Sequence, residues 1–126
     1  RYLIEGDPYH CQCIKTAKLI KESLKIDDKK FMISFQSRFG NEPWLKPYTD
    51  ETLEKLGKQK IQHLSIVTPG FSSDNIETLE EINIEGREAF LSSGGKKFTY
   101  IPCLNDTQEG MELLHKLTLN ELAGWI

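Results

Sequence analysis

Apolar side chains recur with a helical period near the start of the chain. Ile14, Ala17, Leu19, Ile20 and Leu24 are interleaved with Lys15, Lys18, Lys21 and Glu22, which predicts a helix over Tyr9 to Leu24 with one apolar stripe and one charged face. The period then changes. KFMISFQS, Lys30 to Ser37, is a short apolar run ending in polar residues, the pattern of a buried strand. RFGNEPWLKPY follows, a loop with Gly, Asn and two prolines that presents Trp44 and Tyr48. Thr49 offers a helix cap, Asp50 and Glu51 complement the first turn, and Gly57 marks the end of a short helix.

IQHLSIV, Ile61 to Val67, predicts a second strand, stopped by TPGFSSD. A longer helix is expected from Asn75 to Ser92, capped by Asp74 and closed by Gly94 and Gly95. KFTYIP, Lys97 to Pro102, reads as a third strand. Asp106 with Glu109 suggests the start of a last helix, with Met111, Leu113, Leu114, Leu117, Leu119 and Leu122 on its apolar side. Alternating helices and strands imply right-handed crossovers and an α/β fold, a parallel sheet flanked by helices. Three strands are few for such a sheet. A strand upstream of Arg1 is the expected missing member, so residues 1–126 read as a single lobe of a longer protein.

Composition narrows the classes. A chain of 126 residues with 38% hydrophobic and 28% charged side chains is a globular domain, not a disordered segment. A net charge of -3 with scattered lysines gives no footprint for nucleic acid. No apolar run reaches membrane-spanning length; peripheral contact with a membrane stays open. Three cysteines, an odd number, do not read as a disulfide framework and fit a reducing compartment, the cytoplasm.

The candidate chemistry lies at one edge. In open parallel sheets, ligands bind beyond the carboxyl ends of the strands, where the loops Gln36 to Tyr48 and Thr68 to Asn75 belong. The helix that begins there places Glu77, Glu81 and Glu85 in a row, although like charges at that spacing oppose each other by roughly 0.2–0.5 kcal/mol per pair. Two readings stand side by side. In the first, Glu77 completes a capping box with Asp74, and the later acids are a solvated face. In the second, the row handles cations or protons, since carboxylates are hard ligands and proton acceptors. Trp44 is likewise either a plug over the core or a platform for a flat ligand. HCQC, His10 to Cys13, carries metal-ligating residue types, yet Cys11 and Cys13 point apart on a helix. His63 reads as a satisfied strand residue and His115 as solvent-facing.

SFQSRFGNEPWLKPYTD at Ser34 to Asp50, GDPY at Gly6 to Tyr9, and FSSDNIETLEEINIE at Phe71 to Glu85 resemble the ferrochelatase family, including its bacterial members through HCQCIKTAKL. The resemblance spans nearly the whole chain. It implies a lyase that inserts ferrous iron into protoporphyrin IX, the terminal step of heme biosynthesis, built from two similar Rossmann-like three-layer lobes around a porphyrin cleft. This chain would be the carboxyl-terminal lobe, partnered by the amino-terminal lobe of the same protein and inactive alone.

By the same resemblance Glu77 is the active-site glutamate and a metal-handling acid together with Glu81 and Glu85. Trp44, Ser37 and Asn75 are substrate-binding residues, and Gln36 and Arg38 lie in the segment leading to that pocket. Iron and porphyrin are substrates, and no tightly bound cofactor is implied. Two departures stand out. The family's catalytic histidine belongs to a His-x-x-Pro motif that no residue here fills, and Asn75 replaces a common second histidine. A cobalt or nickel chelatase and a noncatalytic α/β ligand-binding module are the alternatives.

Overall fold

The computed structural model describes residues 4–37 and 43–125. Helix α1, Tyr9–Ser23, buries Ala17 and is followed by a 3-10 turn, Asp28–Lys30, whose entry is fixed by the Asp27 carboxylate accepting from Lys29 N at 2.8 Å. An ion pair between Lys21 and Asp28 ties this turn back to α1. Helix α2, Thr49–Lys58, and strand β1, His63–Val67, come next. A π-helix, Glu77–Gly86, runs directly into α3, Arg87–Ser92. Strand β2, Lys97–Ile101, and helix α4, Gln108–Glu121, complete the order.

β1 and β2 pair in parallel, with His63 opposite Lys97 and Val67 opposite Ile101. Alternation along each strand sends Leu64, Ile66, Phe98 and Tyr100 to one face. There they meet Leu53 of α2 and Phe90 of α3, and Leu53, Phe90 and Phe98 form the buried centre. This is an α/β fold, as the periodicity predicts.

The sheet has two strands among the described residues, not three. Lys30 to Ser37 is extended, but it pairs only once, where Phe35 N donates to Pro47 O (2.9 Å) and Thr49 N to Phe35 O (3.0 Å). The facing segment turns into α2 at Thr49, and Pro47 has no N–H, so the ladder cannot extend.

Helix boundaries shift for local reasons. Tyr48, not Thr49, precedes the first turn of α2, and the Thr49 hydroxyl donates instead to Ser34 Oγ at 2.9 Å. Gly57 lies inside α2, where an added Cβ would sit 2.5 Å from Phe90 O. Its small size lets α2 and α3 touch. At α4 the cap is Thr107, whose hydroxyl accepts from Gly110 N at 3.2 Å, in place of the expected Asp106. The leucine side of α4 joins no core within the described residues, and its Met and Leu side chains are 39–52% exposed.

The expected glutamate helix departs most from an α-helix. The segment is π-helical over ten residues, although Leu79 N still bonds four residues back, to Asn75 O at 2.9 Å, whereas π-helical geometry occurs mostly as single turns. The sequence supplies a reason. Thr78, Ile82, Gly86 and Phe90 are all buried at a strict spacing of four. In an α-helix each step of four overshoots a turn by roughly 40°. A wider turn lessens that overshoot and keeps the stripe on the core, with Glu77, Glu81 and Glu85 each one position before a buried residue.

Candidate active site

Gln36 joins the two stretches singled out by their chemistry. Its Nε2 donates to Glu77 O at 3.2 Å and to Glu81 Oε2 at 2.7 Å. Its backbone carbonyl accepts from Trp44 Nε1 at 2.8 Å. Trp44 is half-buried, and the Tyr9 ring lies 6.4 Å from it, tilted by 39°. Ser37 adopts a φ of 63°, an uncommon left-handed conformation for a residue with a side chain. Arg38 lies outside the described residues.

The acid row runs outward. Glu77 is half-buried, while Glu81 and Glu85 are exposed. The capping box expected between Asp74 and Glu77 does not form. Asn75 and Thr78 take that role: Asn75 N donates to Thr78 Oγ at 2.9 Å, and Thr78 N donates to Asn75 Oδ1 at 3.1 Å. The Asn75 side-chain oxygen is therefore committed to the helix start, which leaves its NH2 group as the part able to meet a ligand. With the cap made elsewhere, the Glu77 carboxylate keeps its place at the positive end of the helix without being used to close it.

Asp74 has a different task. Its carboxylate accepts from Asn105 Nδ2 (2.8 Å), Tyr100 OH, Cys103 N (3.2 Å) and Thr78 Oγ (3.2 Å), and its own N–H donates to Asn105 Oδ1 (2.8 Å). These bonds bind the loop after β1 to the loop after β2. The Asn105 amide, then the Tyr100 hydroxyl, hold the Asp74 carboxyl far below the usual carboxylate range. Burial, with Asp74 second, pushes the Tyr100 phenol upward. Asn105 itself has a φ of 51°, which Asn tolerates better than most residues. Nothing in the periodicity marks this cluster, since Tyr100, Cys103 and Asn105 stand 26 to 31 residues from Asp74 in sequence.

The remaining candidates fall apart from the site. Cys11 is exposed and Cys13 half-buried on α1. His10 stacks on Phe35 at 5.6 Å, close to the strand-like segment that leads to Gln36. His63 is exposed instead of satisfied within the strand, and His115 faces solvent. Among the described residues no three His, Cys, Asp or Glu side chains gather as a metal cage. Two open depressions, of about 470 and 460 Å³, lie on α1 and beside α3, and neither includes Trp44 or Glu77. Hydrogen bonds thus join Trp44, Gln36, the Glu77 backbone and the Glu81 carboxylate.

The sequence model of the ferrochelatase family matches residues 1–122. Proteins named ferrochelatase from Agrobacterium fabrum, Allorhizobium ampelinum and Nitrobacter hamburgensis are 56%, 52% and 51% identical to this chain over 125 residues. Each alignment covers 99% of this chain and 36% of the relative, so the chain spans about a third of the length of the curated relatives it matches.

Proposed function

The chain belongs to the ferrochelatase family, and on that premise we propose that it is the carboxyl-terminal lobe of an enzyme inserting ferrous iron into protoporphyrin IX. The observation that carries the proposal is the Gln36 bridge, which sets a half-buried tryptophan beside a row of carboxylates. A flat apolar ring and a path for positive charge are what metal insertion into a tetrapyrrole requires.

Two N–H bonds of the macrocycle break as the divalent ion enters, and two protons leave. Glu77, the least exposed acid, receives protons at its carboxylate; Glu81 and Glu85 relay protons or incoming cations along the helix toward solvent. Gln36 fixes the Glu81 carboxylate and also bonds the Glu77 backbone carbonyl, so the relay's second group is held next to the first residue. Trp44 supplies the apolar wall against which the ring lies, with Ser37 and the Asn75 amide beside it. The amino-terminal lobe supplies the opposite wall and the histidine that no residue of this chain provides. Iron and porphyrin are substrates, and no resident cofactor is needed. No helix among the described residues is long and apolar enough to cross a membrane, and the three cysteines are unpaired. Our reading places the enzyme in the cytoplasm and leaves peripheral membrane contact open.

Titration of the full-length protein with protoporphyrin, followed by porphyrin absorbance, tests the binding wall. Trp44→Ala should weaken binding about tenfold, the scale of losing a buried aromatic contact. Unchanged affinity in that variant would remove Trp44 from the porphyrin site.

A further inference from the structure

Arg87 stands at the junction where the π-helix gives way to α3. When a ladder of five-residue bonds changes to four-residue bonds, the shift in register passes over one carbonyl near the junction. Arg87 supplies a side-chain donor there. Its Nε donates to Asn83 O at 3.0 Å, its Nη2 to Asn83 Oδ1 at 2.6 Å and its Nη1 to Phe98 O at 2.9 Å. The guanidinium also lies over the Phe98 ring, 5.1 Å from its centroid.

Each of these contacts is to a neutral partner. Glu85 and Glu88 are close in sequence, yet among the described residues no carboxylate forms an ion pair with Arg87. A planar fork with fixed donor directions suits three fixed acceptors in a way that a flexible ammonium does not. One acceptor, Phe98 O, belongs to β2 and to the buried centre of the fold. The last turn of the π-helix is thereby fastened to the sheet.

We propose that Arg87 is a positioning residue that locks the wide register of the π-helix and so sets the alignment of Glu81 and Glu85. The inference rests on the cation-handling role given to that row. Without the fork, the helix relaxes toward the α register, in which each fourth residue turns away by roughly 40° and the acids no longer face one path.

The test uses full-length enzyme carrying Arg87→Gln and Arg87→Lys, with hydrogen exchange and steady-state kinetics measured on both. Exchange protection across residues 80–87 should fall roughly tenfold or more while β1 and β2 amides keep theirs. The KM for ferrous iron should rise about fivefold with the KM for protoporphyrin unchanged, and Lys should rescue neither. Unchanged exchange, a uniform loss across the core, an unchanged iron KM, or rescue by Lys would each overturn the proposal. If Arg87→Gln does not accumulate, Asn83→Ala removes one acceptor only and should move the same two readouts in the same direction, roughly threefold. Exchange is read without turnover, so a broken clamp and a misassigned acid row give different patterns. Selective exchange loss with a normal iron KM means the row is misassigned; unchanged exchange means the clamp is.

Discussion

Gln36 holds Glu81: the amide nitrogen of one lies 2.7 Å from a carboxylate oxygen of the other, across 45 residues of sequence. The same glutamine accepts from Trp44 through its backbone, so one residue ties Trp44 to the π-helix. The donor is neutral, so the contact holds the carboxylate without the ion pair that a lysine in the same place would form.

Gln36→Leu in the full-length enzyme removes the side-chain bonds and leaves the carbonyl that receives Trp44. Iron insertion, followed by porphyrin absorbance, should fall about tenfold in kcat/KM. Combined with Glu81→Gln, the second change should add little, because both act on one contact. Full additivity would mean that Gln36 and Glu81 work independently.

Asp74 should govern acid stability. Its pKa in the folded state lies below its unfolded value of roughly 3.9. The stabilisation is therefore complete above that value and is lost as pH falls toward the folded pKa. Thermal melts of Asp74→Asn and the parent protein should differ by a constant amount between about pH 5 and 8, and the gap should close below about pH 4. A gap that stays constant into acid would show that the carboxylate charge contributes nothing. Tyr100, with its pKa raised, gives the mirrored expectation: its contribution is full below about pH 10 and is lost as pH rises through the folded pKa.

Gly57→Ala pits two effects against each other. Alanine favours an isolated helix by about 1 kcal/mol. Here, however, its Cβ would meet Phe90 O at 2.5 Å and Ser93 Cβ at 2.6 Å, both fixed to the facing helix. Overpacking typically costs about 1–3 kcal/mol, so the clash should win and the melting temperature should drop. A rise would indicate that α2 and α3 can separate at little cost.

Periodicity located the regular elements well, since α1, β1 and β2 follow from local pattern and burial. It misjudged Lys30 to Ser37, because an apolar run says nothing about whether a partner strand lies alongside. It also described Glu77 to Gly86 as ordinary helix. The spacing of four in Thr78, Ile82, Gly86 and Phe90 was visible in the sequence, but only their burial shows that it selects a wider turn. Glu77, Glu81, Trp44 and Gln36 were legible as candidates through family motifs, whereas the Gln36 bridge and the bonds of Asp74 and Arg87 were not. Those bonds depend on side-chain directions across long sequence separations, which local propensity does not encode.

The central claim is that the Glu77 carboxylate takes part in proton removal during metal insertion. Turnover of full-length Glu77→Gln and Glu77→Ala with ferrous iron and protoporphyrin measures it directly. Loss of a positioned proton acceptor predicts a fall in kcat of about 100-fold or more in both variants, with porphyrin binding retained. Near-parental turnover in both variants would contradict the account.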